Sequence, residues 1–226
     1  MGKAHPQYEL LLQALAEEPD PHTTVSEPER AREIHVADSL SGLEVDEIAR
    51  ARRIADVGAG AGFPGLPLAI ALPAAEVDLI ESAGRKTAVI DRLIQAAKVD
   101  NARSVTARAE EWGAVTPALG GGREAYDAVT ARAVAALPVL VEYAAPMLRS
   151  EGVLVAWKGV VAADELQRGK GAAAELGMAL AEVRRVEPFE GARERHLVVF
   201  RKVARTPDGY PRRPGMAAKR PLGGHP

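Results

Sequence analysis

The sequence lacks cysteine, is poor in aromatic residues and has no long apolar run. With no cysteine among 226 residues, disulfides, thiolate metal sites and cysteine nucleophiles are excluded. Aromatic residues are 4% of the chain, too few for a platform that stacks single-stranded bases. No apolar run reaches the roughly 18 residues that span a bilayer, and no leader pattern is visible. We expect no membrane partner and a cytoplasmic location, and the spacing of the histidines predicts no metal site.

Positive charge is concentrated at the C-terminal end. Residues 201–226 hold seven Lys and Arg against Asp208 alone, although the whole chain has a formal net charge of −2. This asymmetry fits a local contact with a polyanion or a solvated, disordered tail. Its proline and glycine favour an extended segment that orders on binding.

Short apolar runs alternate with helical periodicities from residue 51 onward, which predicts an α/β fold with a parallel, doubly wound sheet. The last two predicted strands are joined by a short loop and indicate a terminal antiparallel hairpin. We divide the chain into an N-terminal helical cap (1–50), a core (51–204) and a basic extended tail (205–226). The predicted strands are 54–57, 77–80, 104–107, 126–130, 152–157, 181–186 and 196–203. The predicted helices are 8–15, 29–40, 65–72, 89–97, 137–148 and 164–176.

A glycine-rich turn follows the first predicted strand. Gly60, Gly62 and Gly65 satisfy G-x-G-x-x-G, the dinucleotide-binding pattern. Asp56, Gly58, Gly60 and Gly62 also satisfy D-x-G-x-G-x-G. A carboxylate at the strand end would repel a pyrophosphate, but it can accept hydrogen bonds from the cationic amino-acid end of S-adenosylmethionine, directly or through water. The acidic residue therefore favours S-adenosylmethionine as the cofactor of a Rossmann-like methyltransferase.

Two more acidic residues lie at predicted strand ends. Glu81 ends the second strand, where a carboxylate can accept from both ribose hydroxyls. Since NAD enzymes share this feature, Glu81 supports a ligand without choosing it. Ala109 and Glu110 follow the third strand, where Glu110 can accept from the adenine amine or can be an ordinary acid at a helix start.

Together these residues resemble the RsmG family (glucose-inhibited division protein B), which methylates guanine N7 in small-subunit ribosomal RNA. The resemblance extends from about Glu29 to Leu222, and Glu81 stands where many relatives have aspartate. The runs that carry it are His35 to Leu40, Asp56 to Pro67, Glu81–Ser82 with Arg85–Lys86, Ala107 to Glu111, Val129 to Val134, Trp157 to Gly159, Arg195 to Val199, Tyr210 to Gly215 and Lys219 to Leu222.

The resemblance implies a class I methyltransferase core, S-adenosylmethionine as cofactor, and 16S rRNA or the small ribosomal subunit as partner. It leaves the oligomeric state open. The residues that it implies as cofactor contacts are Gly58, Phe63, Ala109, Glu110 and Arg132.

The chemistry agrees with this assignment. Guanine N7 has a lone pair and no proton, so methylation needs positioning rather than a general base. The fourth strand ends without the Asn/Asp-Pro-Pro motif of amino-directed enzymes. Arg132, at this place, is our catalytic candidate, fixing cofactor or guanine, and the alternative is a structural ion pair. For His35 with Asp38, and for His196, we expect structural roles.

We predict phosphate contacts from five basic side chains, which position RNA without specifying its sequence. They are Lys158, whose alternative is a solvated lysine, and Arg212, Arg213, Lys219 and Arg220. Two other functions remain open. A small-molecule methyltransferase would not need the tail, and an RNA-binding assembly factor would bind without methyl transfer, although the intact glycine loop argues against it.

Overall fold

A seven-stranded sheet forms the centre of the computed structural model, which describes residues 5–224. The strand order is β3-β2-β1-β4-β5-β7-β6. Strands β1 to β5 are parallel, and β7 runs antiparallel between β5 and β6. This confirms the predicted doubly wound sheet with its terminal hairpin. The strands are β1 (Arg53–Val57), β2 (Glu76–Glu81), β3 (Ala102–Thr106), β4 (Tyr126–Arg132), β5 (Leu148–Lys158), β6 (Met178–Val186) and β7 (Arg195–Lys202).

Helices cover both faces of the sheet, and the central strands are consequently buried on both sides. One apolar cluster packs α1, α5 and α6 against the sheet, and the other packs α8 and α9. The helices are α1 (Pro6–Glu17), α2 (Pro28–Ala31), α3 (Asp38–Leu40), α4 (Asp46–Ala49), α5 (Gly65–Ala71), α6 (Gly84–Ala97), α7 (Ala109–Ala114), α8 (Leu137–Ala144), α9 (Ala163–Glu175) and α10 (Met216–Lys219).

The segment predicted as one helix over 29–40 is helical but changes type. Between α2 and α3, Arg32–Ala37 forms a π-helix, a rare form that occurs often at functional sites. The segment packs directly on the sheet, because Trp157 Nε1 of β5 donates to the carbonyl of Asp38 at 2.8 Å. Leu11 and Leu15 of α1 are fully buried in the same cluster as the sheet residues. The predicted cap, whose first four residues lie outside the described part of the chain, thus shares the core.

We expected the basic tail to be an extended segment that orders on binding, and the structure differs in its path. Described here up to residue 224, it folds back on the core, with Ala217 of α10 fully buried. The physical reason is a buried carboxylate on α8, Glu142, which pairs with Arg212. Within residues 5–224, no helix is long and apolar enough to cross a membrane.

Candidate functional site

The glycine loop after β1 lies at the carboxyl edge of the sheet, where α/β folds bind ligands. Gly58, Gly60 and Gly62 all have positive φ, of 67°, 57° and 90°. The Gly58 amide donates to the carbonyl of Ile80 in β2 at 2.8 Å. A Cβ on Gly58 would lie 2.7 Å from Cγ2 of Val134, so the turn requires glycine there for both backbone and space.

Asp56 does not face the cleft as the sequence suggested. Its side chain is fully buried, with Oδ2 accepting from the Gly65 amide at 2.9 Å and Oδ1 from Thr130 Oγ1 at 2.8 Å. Burial raises its pKa to about 7, against the lowering effect of these two donors. The expectation that Asp56 accepts hydrogen bonds from the cofactor, directly or through water, is therefore corrected: Asp56 connects β1 to the start of α5 and to β4. The acidic pattern located the loop correctly but misassigned the acid itself.

Glu81 and Glu110 border one small cleft, together with Gly58 and Ala109. Glu81 Oε1 accepts from the Ala83 amide at 3.0 Å, and its Oε2 lies 3.3 Å from the Gly60 amide. Glu110 is buried and accepts from the Gly215 amide at 2.8 Å through Oε1. The structure therefore brings together acidic side chains that the sequence placed on separate strand ends.

A larger cleft of about 540 Å³ adjoins the same loop. Gly58, Gly60, Phe63, Arg132 and Lys158, which the sequence singled out, all line it. The two clefts meet at Gly58, which lines both. A ligand with two chemically different ends can therefore lie across the glycine loop.

Arg132 lies in the wall of the larger cleft and is held there by several hydrogen bonds. Its Nη1 donates to the Ile34 carbonyl at 3.0 Å and to Asp38 Oδ2 at 2.8 Å, and its Nη2 lies 3.2 Å from His35 Nδ1. Its guanidinium also lies 5.7 Å from the Phe63 ring centroid. The ion pair that we weighed as the alternative role of Arg132 is thus present, and it fixes the guanidinium in the cleft wall.

His35 is a cleft residue that the sequence analysis assigned to structure alone. Its ring stacks on Phe63 with centroids 4.6 Å apart. Burial and the neighbouring Arg132 lower its pKa, so the neutral ring accepts at Nδ1 and donates from Nε2 to the Val25 carbonyl at 2.9 Å. No spacing in the sequence predicts this stack, since it depends on the π-helical turn meeting the glycine loop.

Lys158 and His196 lie side by side at the β5–β7 pairing. Lys158 Nζ is 2.7 Å from Glu165 Oε1 of α9, with both side chains less than one-fifth exposed. This contact contradicts a freely solvated lysine and weakens its candidacy as a phosphate contact, because its charge is already paired. His196 Nδ1 is 2.8 Å from the Gly159 carbonyl, as a structural role requires.

The four tail cations that we predicted as phosphate contacts fall into two groups. Arg212 donates to the fully buried Glu142 from Nε at 2.8 Å, so its expected phosphate contact is corrected to an internal ion pair. Arg213, Lys219 and Arg220 are exposed, and within residues 5–224 their side chains form no ion pair.

Comparison with known proteins gives one consistent family. The chain matches the GidB family model, described as rRNA small subunit methyltransferase G, over residues 7–204. The match begins before the limit of about Glu29 set by the sequence, so it includes α1. The tail from residue 205 lies beyond it.

Curated relatives agree over most of the chain. A protein named ribosomal RNA small subunit methyltransferase G from Rubrobacter xylanophilus is 45% identical over 201 residues, covering 88% of this chain and 76% of the relative. The protein of the same name from Bacillus subtilis is 36% identical over 203 residues, covering 89% and 83%.

Solved structures share the fold. TYW2 of M. jannaschii in complex with AdoMet superposes with a TM-score of 0.55 at 18% identity, covering 74% of this chain and 76% of that one. Cofactor-bound Rv0187 from MTB gives a TM-score of 0.57 at 20% identity, covering 89% and 91%.

Proposed function

This chain belongs to the GidB family, rRNA small subunit methyltransferase G, and from that premise we propose how its clefts carry out the reaction. The function is transfer of a methyl group from S-adenosylmethionine to N7 of a guanine in 16S rRNA. The observation that carries the proposal is the pair of clefts that meet at Gly58, one bordered by acidic acceptors and the other by Arg132.

The small cleft fits the adenosine part of the cofactor. Two hydroxyls of a ribose are donors, and Glu81 offers them a buried carboxylate at the end of β2. The adenine amine is also a donor, and Glu110 Oε2 accepts no hydrogen bond within residues 5–224. Gly58 and Ala109 present little side chain there, so a flat ring can approach the backbone closely.

The larger cleft fits the amino-acid end of the cofactor and the target base. Gly60 offers open space, since a Cβ built there meets only the Gly58 carbonyl, at 3.8 Å. When bound, S-adenosylmethionine supplies an electrophilic methyl group on a sulfonium. The reaction needs no general base, because guanine N7 carries no proton, and the task of the chain is to align N7 with that methyl.

We propose that Arg132 is the residue that fixes the reacting groups. Its guanidinium is restrained by Asp38 and the Ile34 carbonyl while it lines the larger cleft. A restrained planar donor can hold the cofactor carboxylate or the guanine in one orientation at little entropic cost. It is positive, so a role as proton acceptor is ruled out.

We propose that the ribosomal RNA contacts the chain through cations that form no ion pair within residues 5–224. Arg213, Lys219 and Arg220 are exposed on the folded tail, and phosphate contacts of this kind set affinity without reading bases. Lys158 contributes mainly to the cleft wall through Glu165. We propose the 16S rRNA within the small subunit as the substrate, rather than a small molecule.

The test is methyl transfer to small subunits that lack the modification. The protein is incubated with methyl-labelled S-adenosylmethionine, the RNA is digested, and the labelled nucleoside is identified. We expect label in 7-methylguanosine with small subunits, no label with large subunits, and strongly reduced label with Arg132→Ala. Wild-type protein that labels neither small subunits nor deproteinised 16S rRNA would overturn the proposal, and label in another nucleoside would overturn the choice of N7.

A further inference from the structure

The tail is tied to the core by an ion pair whose carboxylate is fully buried and whose arginine is partly exposed. Glu142 of α8 is fully buried, and it accepts from Arg212 through the Nε, the backbone amide and Nη2. Arg212 Nη2 also donates to the Arg220 carbonyl at 2.9 Å. Removing the cation from a buried carboxylate leaves an uncompensated charge and strongly destabilises the fold. Arg212 is therefore committed to this ion pair. We call residues 205–224 the C-terminal strap.

Both ends of the strap are anchored as well. Near its start, Thr206 donates to the Ala145 carbonyl at 3.0 Å. Near its end, the Gly223 amide donates to Glu175 Oε1 of α9 at 3.3 Å. Between them, the Tyr210 carbonyl accepts from Arg123 at 2.9 Å. These contacts hold the strap up to Tyr210 and again at Gly223, so loss of the Arg212 contact should free its middle, around Gly215, without detaching the strap.

At its centre the strap reaches the wall of the small cleft. The Gly215 amide donates to Glu110 Oε1 at 2.8 Å, and Gly215 adopts a positive φ of 82° to aim it. Glu110 is 4% exposed, so few other donors can reach this oxygen. With Oε1 occupied by the strap, Oε2 is the oxygen that remains for a ligand in the cleft.

The ion pair and the cleft are neighbours through α8. Tyr143 follows Glu142 in that helix and lines the small cleft with Glu110. Burial and the charges of Glu110 and Glu142 raise the pKa of Tyr143, as expected if all three groups lie close together. Strap, helix and cleft wall are therefore one packed unit.

We propose that the C-terminal strap orients Glu110 for the amino group of adenine, and that Arg212 is a positioning residue for cofactor selection rather than an RNA contact. The inference rests on the proposed function, because it requires the small cleft to hold the adenosine of S-adenosylmethionine. A carboxylate fixed through one oxygen presents the other in a defined direction, and it then favours a donor over an acceptor at the ring position.

The experiment compares two ligands that differ only at that position. S-adenosylhomocysteine, the reaction product, carries the amino donor, whereas its purine-riboside analogue carries a hydrogen atom there and keeps an unprotonated N1. Calorimetry gives both dissociation constants for wild type, Arg212→Ala and the matched control Arg213→Ala, whose side chain is exposed and forms no ion pair within residues 5–224. We expect wild type and the control to prefer the adenosyl compound by about 10- to 150-fold, the worth of a hydrogen bond to a charged group. In Arg212→Ala the preference should fall to within about threefold.

A gentler variant covers the case in which Arg212→Ala does not fold. Gly215→Ala keeps the ion pair, and its Cβ meets nothing within 4 Å, so only the backbone that aims the amide is strained. Gly215→Ala should also lose most of the preference for the adenosyl compound. A general loss of stability would weaken both ligands alike and leave their ratio unchanged.

The outcomes separate the inference from the proposed function. If the folded variant, Arg212→Ala or its replacement Gly215→Ala, keeps the wild-type preference, the inference is overturned, while methyl transfer to small subunits still supports the function. If that preference is kept but the KM for small subunits rises, Arg212 serves RNA binding and not cofactor selection, which also overturns the inference. If wild type binds neither ligand and transfers no methyl group, the function itself fails.

Discussion

Replacing Asp56 with asparagine should make the stability of this protein less dependent on pH. The Asp56 carboxyl is fully buried, and burial raises its pKa from 3.8 to about 7. A carboxyl whose pKa is raised in the folded state stabilises the fold when protonated. That stability is complete below the unfolded-state pKa and is lost as the pH rises through the folded-state value.

The magnitude follows from the shift. Roughly three pKa units at 1.36 kcal/mol each correspond to about 4 kcal/mol of unfolding free energy over the full window. About 2 kcal/mol of this falls between pH 5.5 and 7, which for a chain of this size shifts the melting temperature by about 4–8 °C. The side chain introduced by Asp56→Asn stays neutral at every pH, and its oxygen can accept from Gly65 while its amide donates to Thr130.

The assay is urea unfolding of the cofactor-free protein, followed by circular dichroism between pH 5.5 and 8.5. The unfolding free energy of Asp56→Asn minus that of wild type should rise by about 2 kcal/mol between pH 5.5 and 7 and then level off. Asp100→Asn, at an exposed carboxylate, controls for the loss of one charge. A flat or falling difference would refute the reasoning, since it would mean that the donors of Gly65 and Thr130 outweigh the cost of burial.

Three further predictions concern the clefts. Arg132→Ala should lower methyl transfer by about 100-fold or more. It should also reduce the unfolding free energy, by up to about 3–5 kcal/mol, because the buried Asp38 then keeps only the longer contact of its Oδ1 with Arg195 Nε, at 3.6 Å. Adding Asp38→Asn should restore stability in urea titrations but not turnover, and restored turnover would contradict the role. Gly58→Ala should lower the unfolding free energy by about 1–2 kcal/mol because of the positive φ. It should also weaken cofactor binding measured by calorimetry, because its Cβ would lie 2.7 Å from Val134. Adding Val134→Ala should recover only the part of the loss that comes from this clash, and unchanged cofactor binding by Gly58→Ala alone would exclude the tight approach. Lys158→Ala should leave the salt dependence of small-subunit binding unchanged, whereas Arg213→Ala should reduce the slope by about 0.7–0.9; a reduced slope for Lys158→Ala would restore its place among the phosphate contacts.

Much of the fold was predictable because it depends on local patterns. Short apolar runs located all seven strands. The antiparallel pair was located because its two strands are joined by a short loop, whereas the earlier strands alternate with helices. The boundaries were less accurate. Strand β5 begins at Leu148, where the sequence predicted the end of a helix, because Leu148 continues the helical spacing of Leu140 and Ala144. The helix in fact ends at Ala144, shortly before Pro146. Helix α10 was missed, since its four residues are stabilised by packing rather than by periodicity.

The site was predicted in its position but not in its pairings. Glu81, Glu110, Phe63 and Arg132 lie where their strand ends and loops suggested. The partners of two of these residues are distant in sequence. Asp38 is 94 positions from Arg132, and Gly215 is 105 positions from Glu110. No periodicity encodes such contacts, because they arise only when separate elements pack at one edge of the sheet.

The sequence by itself determined the order of strands and helices, the glycine turn, the acids at strand ends and the family, since each is written in residues close together along the chain. Only the tertiary structure decided which charges are free to act. Asp56 and Arg212 look like ligand-binding groups in the sequence, but both are used inside the fold. Asp56 is buried and bonded to two donors, and Arg212 is paired with a buried carboxylate. The physical reason is that a charge removed from water must be neutralised or paired, and its partner is supplied by the fold.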